Sequence, residues 1–115
     1  MKLIKIVVFL LLVSLTSLLD AQQSLVYAHS NADFKRAKEL FGAKKYVAAQ
    51  RKFKQIFDRV EEPHSEVKMN AEYFIALCAL ELFNPDAEHL LVEFIEANPQ
   101  SPKVPKAKFQ LGQFN

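Results

Sequence analysis

The sequence predicts an all-α protein made of two antiparallel helix hairpins followed by one unpaired C-terminal helix. Composition is the first reason, because only two glycines occur in 115 residues and helix-forming Ala, Leu, Lys, Glu and Gln are abundant. The second reason is that apolar residues beyond residue 33 recur every three or four positions, as they do on one face of a helix. The third is that Gly, Asn and Pro residues separate these periodic segments.

Residues 1–21 have the pattern of a secretory signal peptide. Two lysines near the start precede a mostly apolar run at 6–19. Asp20 ends that run before it reaches the length of about 20 apolar residues that a membrane span needs. We therefore expect export, with cleavage after Ala21 or after Ala28. The alternative is a leader that is retained as a membrane anchor.

The first hairpin is predicted at 33–60, after a linker at 22–32 that shows no clear helical period. Asn31 or Asp33 can cap its first helix, since short polar side chains accept hydrogen bonds from the free amides of a first turn. Gly42 suits the turn after this helix. The apolar positions of the two helices are Phe34, Ala37, Leu40 and Phe41, then Tyr46, Ala49, Phe53, Ile56, Phe57 and Val60.

A proline-containing break separates this hairpin from a second one at 65–98. Its first helix starts near Ser65 and is apolar on more than one side, so we expect it to lie between neighbouring helices. Asn84 is a suitable cap for the next helix, and Pro85 suits its first position. A partial third unit at 102–115 holds the fifth helix.

Small residues recur at matching positions of the two hairpins. Ala37 and Ala76 are 39 residues apart, and Ala49 and Ala87 are 38 apart. A repeated helix pair of about 34 residues, with small residues where the helices cross, is typical of tetratricopeptide repeats.

Residues 33–115 therefore resemble the tetratricopeptide repeat (TPR) family. The first unit carries the resemblance best, through the spacing of Ala37, Leu40, Phe41, Tyr46, Ala49, Phe53, Ile56 and Phe57. Residues 93–103 are also similar to the helix end and link of bacterial envelope members of the family. These are of the Tol-associated cell-division coordinator and outer-membrane assembly lipoprotein types. The resemblance implies a right-handed solenoid, of which this chain would be an N-terminal part.

The resemblance also implies a partner-binding groove, because the first helix of each TPR pair lines the concave surface. Family members that clamp a peptide C-terminus use Lys and Asn at positions where this chain has Phe34 and Lys38, so we do not expect that activity here. The positions carried over to this chain are Phe34, Lys38, Phe41, Tyr73, Leu77, Leu80, Lys106, Phe109 and Gln113.

The sequence contains no motif for catalysis or for a cofactor. Its three histidines have no metal-ligand spacing, and two glycines cannot form a Gly-rich phosphate loop. Cys78 lies in an apolar run and is predicted to be a small core residue. We therefore expect no enzyme activity, no metal and no cofactor.

Charge is distributed unevenly along the chain. Residues 35–59 hold nine basic and two acidic residues, whereas residues 61–96 hold nine acidic residues and one lysine. Such runs are usually ordinary solvated faces. The functional alternative is a basic patch that meets an acidic partner, peptidoglycan or lipid head groups. Its members are Lys44, Lys45, Arg51, Lys52 and Lys54.

These observations predict an exported, non-enzymatic protein–protein interaction scaffold in the periplasm or at the outer-membrane periphery of a bacterium. We expect protein partners, no nucleic acid, and membrane contact only through an uncleaved leader. Self-association through the C-terminal helix is also expected, because a repeat is stable only against a neighbour. The alternatives are a capping segment of a longer solenoid and an envelope enzyme-activating subunit.

Overall fold

A computed structural model describes residues 1–114, and describes only the backbone of Thr16, Ser17, Leu19 and Gln23. Asn115, the last residue of the predicted third unit, lies outside the described residues. The described chain is all-helical, as predicted, and measures 73 × 28 × 20 Å. Its five helices are α1 (Lys2–Gly42), α2 (Tyr46–Arg59), α3 (Glu66–Glu81), α4 (Ala87–Ala97) and α5 (Val104–Gly112).

Helix α1 gives the molecule its elongated shape. Its 41 residues span about 60 Å, at 1.5 Å per residue. The apolar side chains described between residues 3 and 13 are all exposed. By length and composition α1 could cross a membrane, a property that it shares with N-terminal signal sequences.

The predicted linker at 22–32 is wrong, because this stretch belongs to α1 without a break. It contains neither Gly nor Pro, and it packs on the folded domain. Ser30 is fully buried, and the Tyr27 hydroxyl donates a hydrogen bond to Glu62. The proposed caps also lie inside the helix, where Asp33 instead accepts a hydrogen bond from Arg59 at 2.7 Å.

Helices α1 and α2 form an antiparallel pair. Phe41 and Tyr46 pack edge to face across the turn, with ring centroids 5.2 Å apart. Asp33 and Arg59 meet at the other end of the pair. The predicted pairing is therefore correct, and the break between the helices spans only 43–45.

Helix α1 ends in a Schellman motif. The Lys45 amide donates to the Leu40 carbonyl at 2.9 Å, and the Lys44 amide donates to Phe41 at 3.0 Å. The turn was predicted around Gly42 to Lys45 and is found at 43–45, with Gly42 as the last helical residue. The left-handed residue of the motif is Lys44, with φ 62°.

Helix α3 ends in the same way. The Asn84 amide donates to the Ala79 carbonyl at 2.9 Å, and the Phe83 amide donates to Leu80 at 3.1 Å. Phe83 is left-handed, with φ 56°. Because Asn84 belongs to this motif, α4 begins at Ala87, two residues later than predicted, with Asp86 as its N-terminal cap residue.

Helix α3 lies at the centre of the core, as its apolar character predicts. Phe74 contacts both buried clusters: one joins α1, α2 and α3, and the other joins α3, α4 and α5. Its ring stacks on Phe53 with centroids 4.9 Å apart. Cys78 is fully buried nearby, and burial raises the pKa of its thiol to about 12. The thiol therefore stays protonated at neutral pH and serves as a packing residue of the core.

Polar contacts pin the helix ends. Ser65 Oγ accepts the Lys68 amide at 3.4 Å and so caps α3, which begins at Glu66, close to the predicted start. The Lys68 ammonium donates to the Val60 carbonyl at the end of α2 at 2.7 Å. The Asn98 side chain holds the end of α4 against the middle of α3 through a 2.7 Å hydrogen bond to Glu72. These contacts fix the antiparallel order of the helices.

Candidate protein-binding surfaces

The nine residues of the predicted groove do not form one open surface. Tyr73 and Leu77 are core residues, with exposed fractions of 2% and 9%. Phe41 and Leu80 are half-buried and pack against the core. Helix α3 is covered on several sides, so these four side chains are needed for packing between helices. The exposed members of the set are Lys38, Lys106, Phe109 and Gln113.

Phe34 is half-buried. One side of its ring packs against the core, and the other side lines a shallow cleft on α1. Its ring packs edge-on against Phe53 and Phe74, with centroid distances of 5.5 and 5.9 Å. Its outer side lines an open depression of about 450 Å³ together with Asn31, Lys35, Lys38 and Glu39, so two lysines and one carboxylate border it. Phe34 and Lys38 are therefore the part of the predicted groove that the structure brings together.

A lysine that the sequence analysis did not single out lies over neighbouring rings. The Lys103 ammonium is 5.5 Å from the ring centroid of Tyr73 and 5.8 Å from that of Phe74. Burial raises the pKa of the Tyr73 phenol, which donates to the side-chain Oε1 of Gln110 at 3.0 Å. This contact depends on how α5 packs against α3, so no spacing in the sequence indicates it.

We call the rings of Phe34, Phe74 and Tyr73 the aromatic row. Adjacent members have centroids 5.9 and 5.8 Å apart. Lys38 of α1 adjoins the Phe34 end through the shallow cleft, and Lys103 covers the other end. Cationic groups therefore flank the row at both ends, and its half-buried rings, Phe34 and Phe74, leave an aromatic edge between them that suits a partner with apolar and acidic groups.

The predicted basic patch divides between two sides of α2. Lys52 is half-buried, and its ammonium is 3.9 Å from the Asp33 carboxylate on α1. The hydrogen bond from Arg59 is the main reason that the pKa of Asp33 is lowered. The patch residues away from this pair, which are exposed, are Lys44, Lys45, Arg51 and Lys54.

The structure shows one surface that sequence reasoning missed. A cleft of about 650 Å³ lies between the α3–α4 turn and the end of α5. Its apolar lining includes Leu80, Phe83 and Phe114, and its charged lining consists of Glu81 and Glu88. Phe83 is 93% exposed. The helical periodicity had marked neither the turn residue Phe83 nor its proximity to Phe114.

The described residues show little that points to chemistry. Within residues 1–114, no group of three or more His, Cys, Asp or Glu side chains could hold a metal ion. His89 pairs only with Glu93, one turn away on the exposed side of α4, at 3.1 Å.

Comparisons of this chain with protein-family models, curated proteins and solved structures returned no significant match.

Proposed function

We propose that this chain is an exported TPR-type scaffold that binds another protein in a bacterial envelope. One observation carries the proposal: a helix pair recurs along the chain together with its turn. The Schellman residues Lys44 and Phe83 are 39 residues apart, the same spacing as the small residues Ala37 and Ala76. Recurrence of both a crossing residue and a turn geometry supports a repeated unit.

The surface proposed for partner binding is the exposed edge of the aromatic row, at the half-buried rings of Phe34 and Phe74, with its flanking lysines; the buried Tyr73 ring supports it from beneath. A protein segment that carries both acidic and apolar side chains suits this surface. Its acidic groups would pair with Lys35, Lys38 and Lys103, which are in no ion pair among the described residues. Desolvating an unpaired lysine is compensated when an acidic group of the partner takes the place of water. Rings that are already packed need little reordering on binding.

Export is the second part of the proposal, and α1 supports it. The helix is long and apolar enough to serve as a signal or an anchor, and it leads directly into the folded domain. Fusion of alkaline phosphatase after the full chain tests this step in a bacterial host. Activity of the fusion is expected, and replacing Leu10 and Leu11 with Arg should abolish it. An active fusion with both arginines would contradict export by this segment.

Binding is tested by placing a photoreactive amino acid at Lys38 in the full chain expressed in the bacterium. A cross-link to one defined protein is expected, since this position borders the aromatic row. The matched control is Glu96, which is exposed on α4 and is not part of the shallow cleft that Phe34 and Lys38 line. Cross-linking of the same protein from both positions, or from neither, would contradict a partner at this surface.

The capping alternative is favoured by a different observation. Phe109 on α5 is 72% exposed although Leu111 and Ala107 of the same helix pack inward. An end unit of a longer solenoid would cover this ring with a further helix. A photoreactive group at position 109 tests this role. Cross-links that form only to another repeat unit of the same solenoid would support a capping segment over a scaffold.

A further inference from the structure

Two surfaces outside the aromatic row have opposite charge and complementary apolar residues. The first is the cleft beside the α3–α4 turn, which we call the acidic cleft; its lining includes Leu80, Phe83, Phe114, Glu81 and Glu88. Phe83 occupies a left-handed position that disfavours side chains with a Cβ, and there it presents its ring to solvent. Stability of the monomer alone does not account for this choice.

The second surface is the outer side of α2, which we call the basic stripe. Val47, Arg51 and Lys54 follow one another at four and three residues and so lie along one face of the helix. Lys44 precedes them by three residues in the turn. All four are exposed, Val47 to 59%. None of the three cations is in an ion pair among the residues that the structure describes.

We propose that copies of this chain associate head to tail, with the basic stripe of one copy seated in the acidic cleft of the next. Charge complementarity selects a second copy as the occupant. Each chain carries an excess of basic residues at 35–59 and an excess of acidic residues at 61–96. Val47 supplies the apolar group that the Phe83 and Phe114 rings would cover, and the stripe's cations would meet Glu88 and, beside it, Glu81, which also interacts with Tyr46 of its own chain.

This contact is heterologous, because it joins two different surfaces. After two copies have joined, one acidic cleft and one basic stripe remain free, and further copies can add. The proposal is independent of the partner at the aromatic row, since the two surfaces share no residue. Charges at the edge of such a contact are partly solvated, so the association should weaken as salt rises.

Directional disulfide trapping tests the geometry in the full chain, purified in detergent. Val47→Cys and Phe83→Cys are made in two differently tagged copies, and the mixture is oxidised. We expect the mixed 47–83 disulfide. A dominant 83–83 disulfide would show two-fold packing of the clefts and overturn the proposal, as would the absence of any disulfide above the level of unmixed controls. Cys78 is buried and does not compete.

A charge exchange tests the electrostatic part. Arg51→Glu and Glu88→Arg, each made alone in the background of the trapping pair, should lower the yield of the 47–83 disulfide by about fivefold, the size expected for loss of one surface ion pair. Both changes together, with Arg51→Glu in the Val47→Cys copy and Glu88→Arg in the Phe83→Cys copy, should restore the yield, because the pair is re-formed across the trapped contact with reversed polarity. The control Glu96→Arg should leave it unchanged. A double variant as weak as the single ones, or a control that weakens equally, would overturn this contact.

Discussion

At the scale of single residues, the chain places two non-glycine residues where glycine is favoured. Lys44 and Phe83 have φ of 62° and 56°. A left-handed residue with a Cβ costs roughly 1–2 kcal/mol relative to the right-handed region. Each is held there by the two hydrogen bonds of its Schellman motif, so the helix end outweighs the preference of the residue. At Phe83 the ring gains no burial in return.

Phe83→Gly should therefore stabilise the protein against urea by about 0.5–1 kcal/mol, because it relieves the left-handed conformation at little cost in contacts. The measurement is the urea midpoint of the full chain in detergent, followed by tyrosine fluorescence. Phe83→Ala is the matched control, since it removes the ring and keeps the Cβ. If both variants stabilise equally, exposure of the ring rather than the backbone conformation would be the cause.

At the scale of helices, α3 holds the domain together through Phe74. Its ring contacts Phe34, Phe41, Phe53 and Tyr73, and it therefore links α1, α2 and α3. Rings arranged edge to face or stacked contribute about 0.5–1.5 kcal/mol per pair beyond the burial of their area. Removing this one side chain would affect the packing of every helix around it.

Phe74→Ala should destabilise the domain by about 3–5 kcal/mol, which is the usual cost of deleting a large core ring. The far-ultraviolet circular dichroism melt of the full chain would show this loss as a large fall in melting temperature. Phe74→Leu keeps most of the volume and should cost distinctly less. Phe109→Ala serves as the exposed aromatic control and should change stability by less than about 0.5 kcal/mol. Equal losses at positions 74 and 109 would contradict this account of the core.

The α1–α2 pair has its own pH dependence through Asp33. The hydrogen bond from Arg59 lowers the pKa of this carboxyl in the folded protein. Its contribution is therefore complete above the unfolded pKa of about 4 and is lost as the pH falls through the folded pKa. Asp33→Asn should lose less stability than the wild type between pH 5 and pH 2, as measured by thermal melts. Asp58→Asn, on the exposed side of α2, is the control. An identical acid profile for the wild type and Asp33→Asn would refute the pairing.

Periodicity predicted which segments form helices, because burial of an apolar face is encoded at three- and four-residue spacing. It failed where no apolar face decides the conformation. Residues 22–32 look irregular, yet they lack Gly and Pro and simply continue the helix on either side. Lys44 and Phe83 could not be predicted as left-handed, because the hydrogen bonds of the helix end impose that conformation. Phe83 and Phe114 both line the acidic cleft, beside the end of α5. Their proximity depends on tertiary packing, which helical periodicity does not encode.

At the scale of the whole molecule, the apolar leader and the first core helix are one rod. The side chains that the structure describes between residues 1 and 20 are exposed, whereas Tyr27 bonds to Glu62 and Ser30 is fully buried. Contacts with the folded domain therefore begin between Asp20 and Tyr27. Among the two cleavage sites expected from the sequence, only the one after Ala21 leaves these contacts whole.

Comparing two leaderless chains tests this boundary. A chain of residues 22–115 should melt at a higher temperature than one of residues 29–115, because the shorter chain loses the Tyr27 contact and brings a fraying helix end to Ser30. Each kcal/mol lost corresponds to about 4–8 °C in a domain of this size. Tyr27→Phe in the longer chain separates the two causes, since it removes only the hydrogen bond. Equal melting temperatures for the two chains would show that the domain begins after residue 28 and would remove the physical reason for preferring cleavage after Ala21.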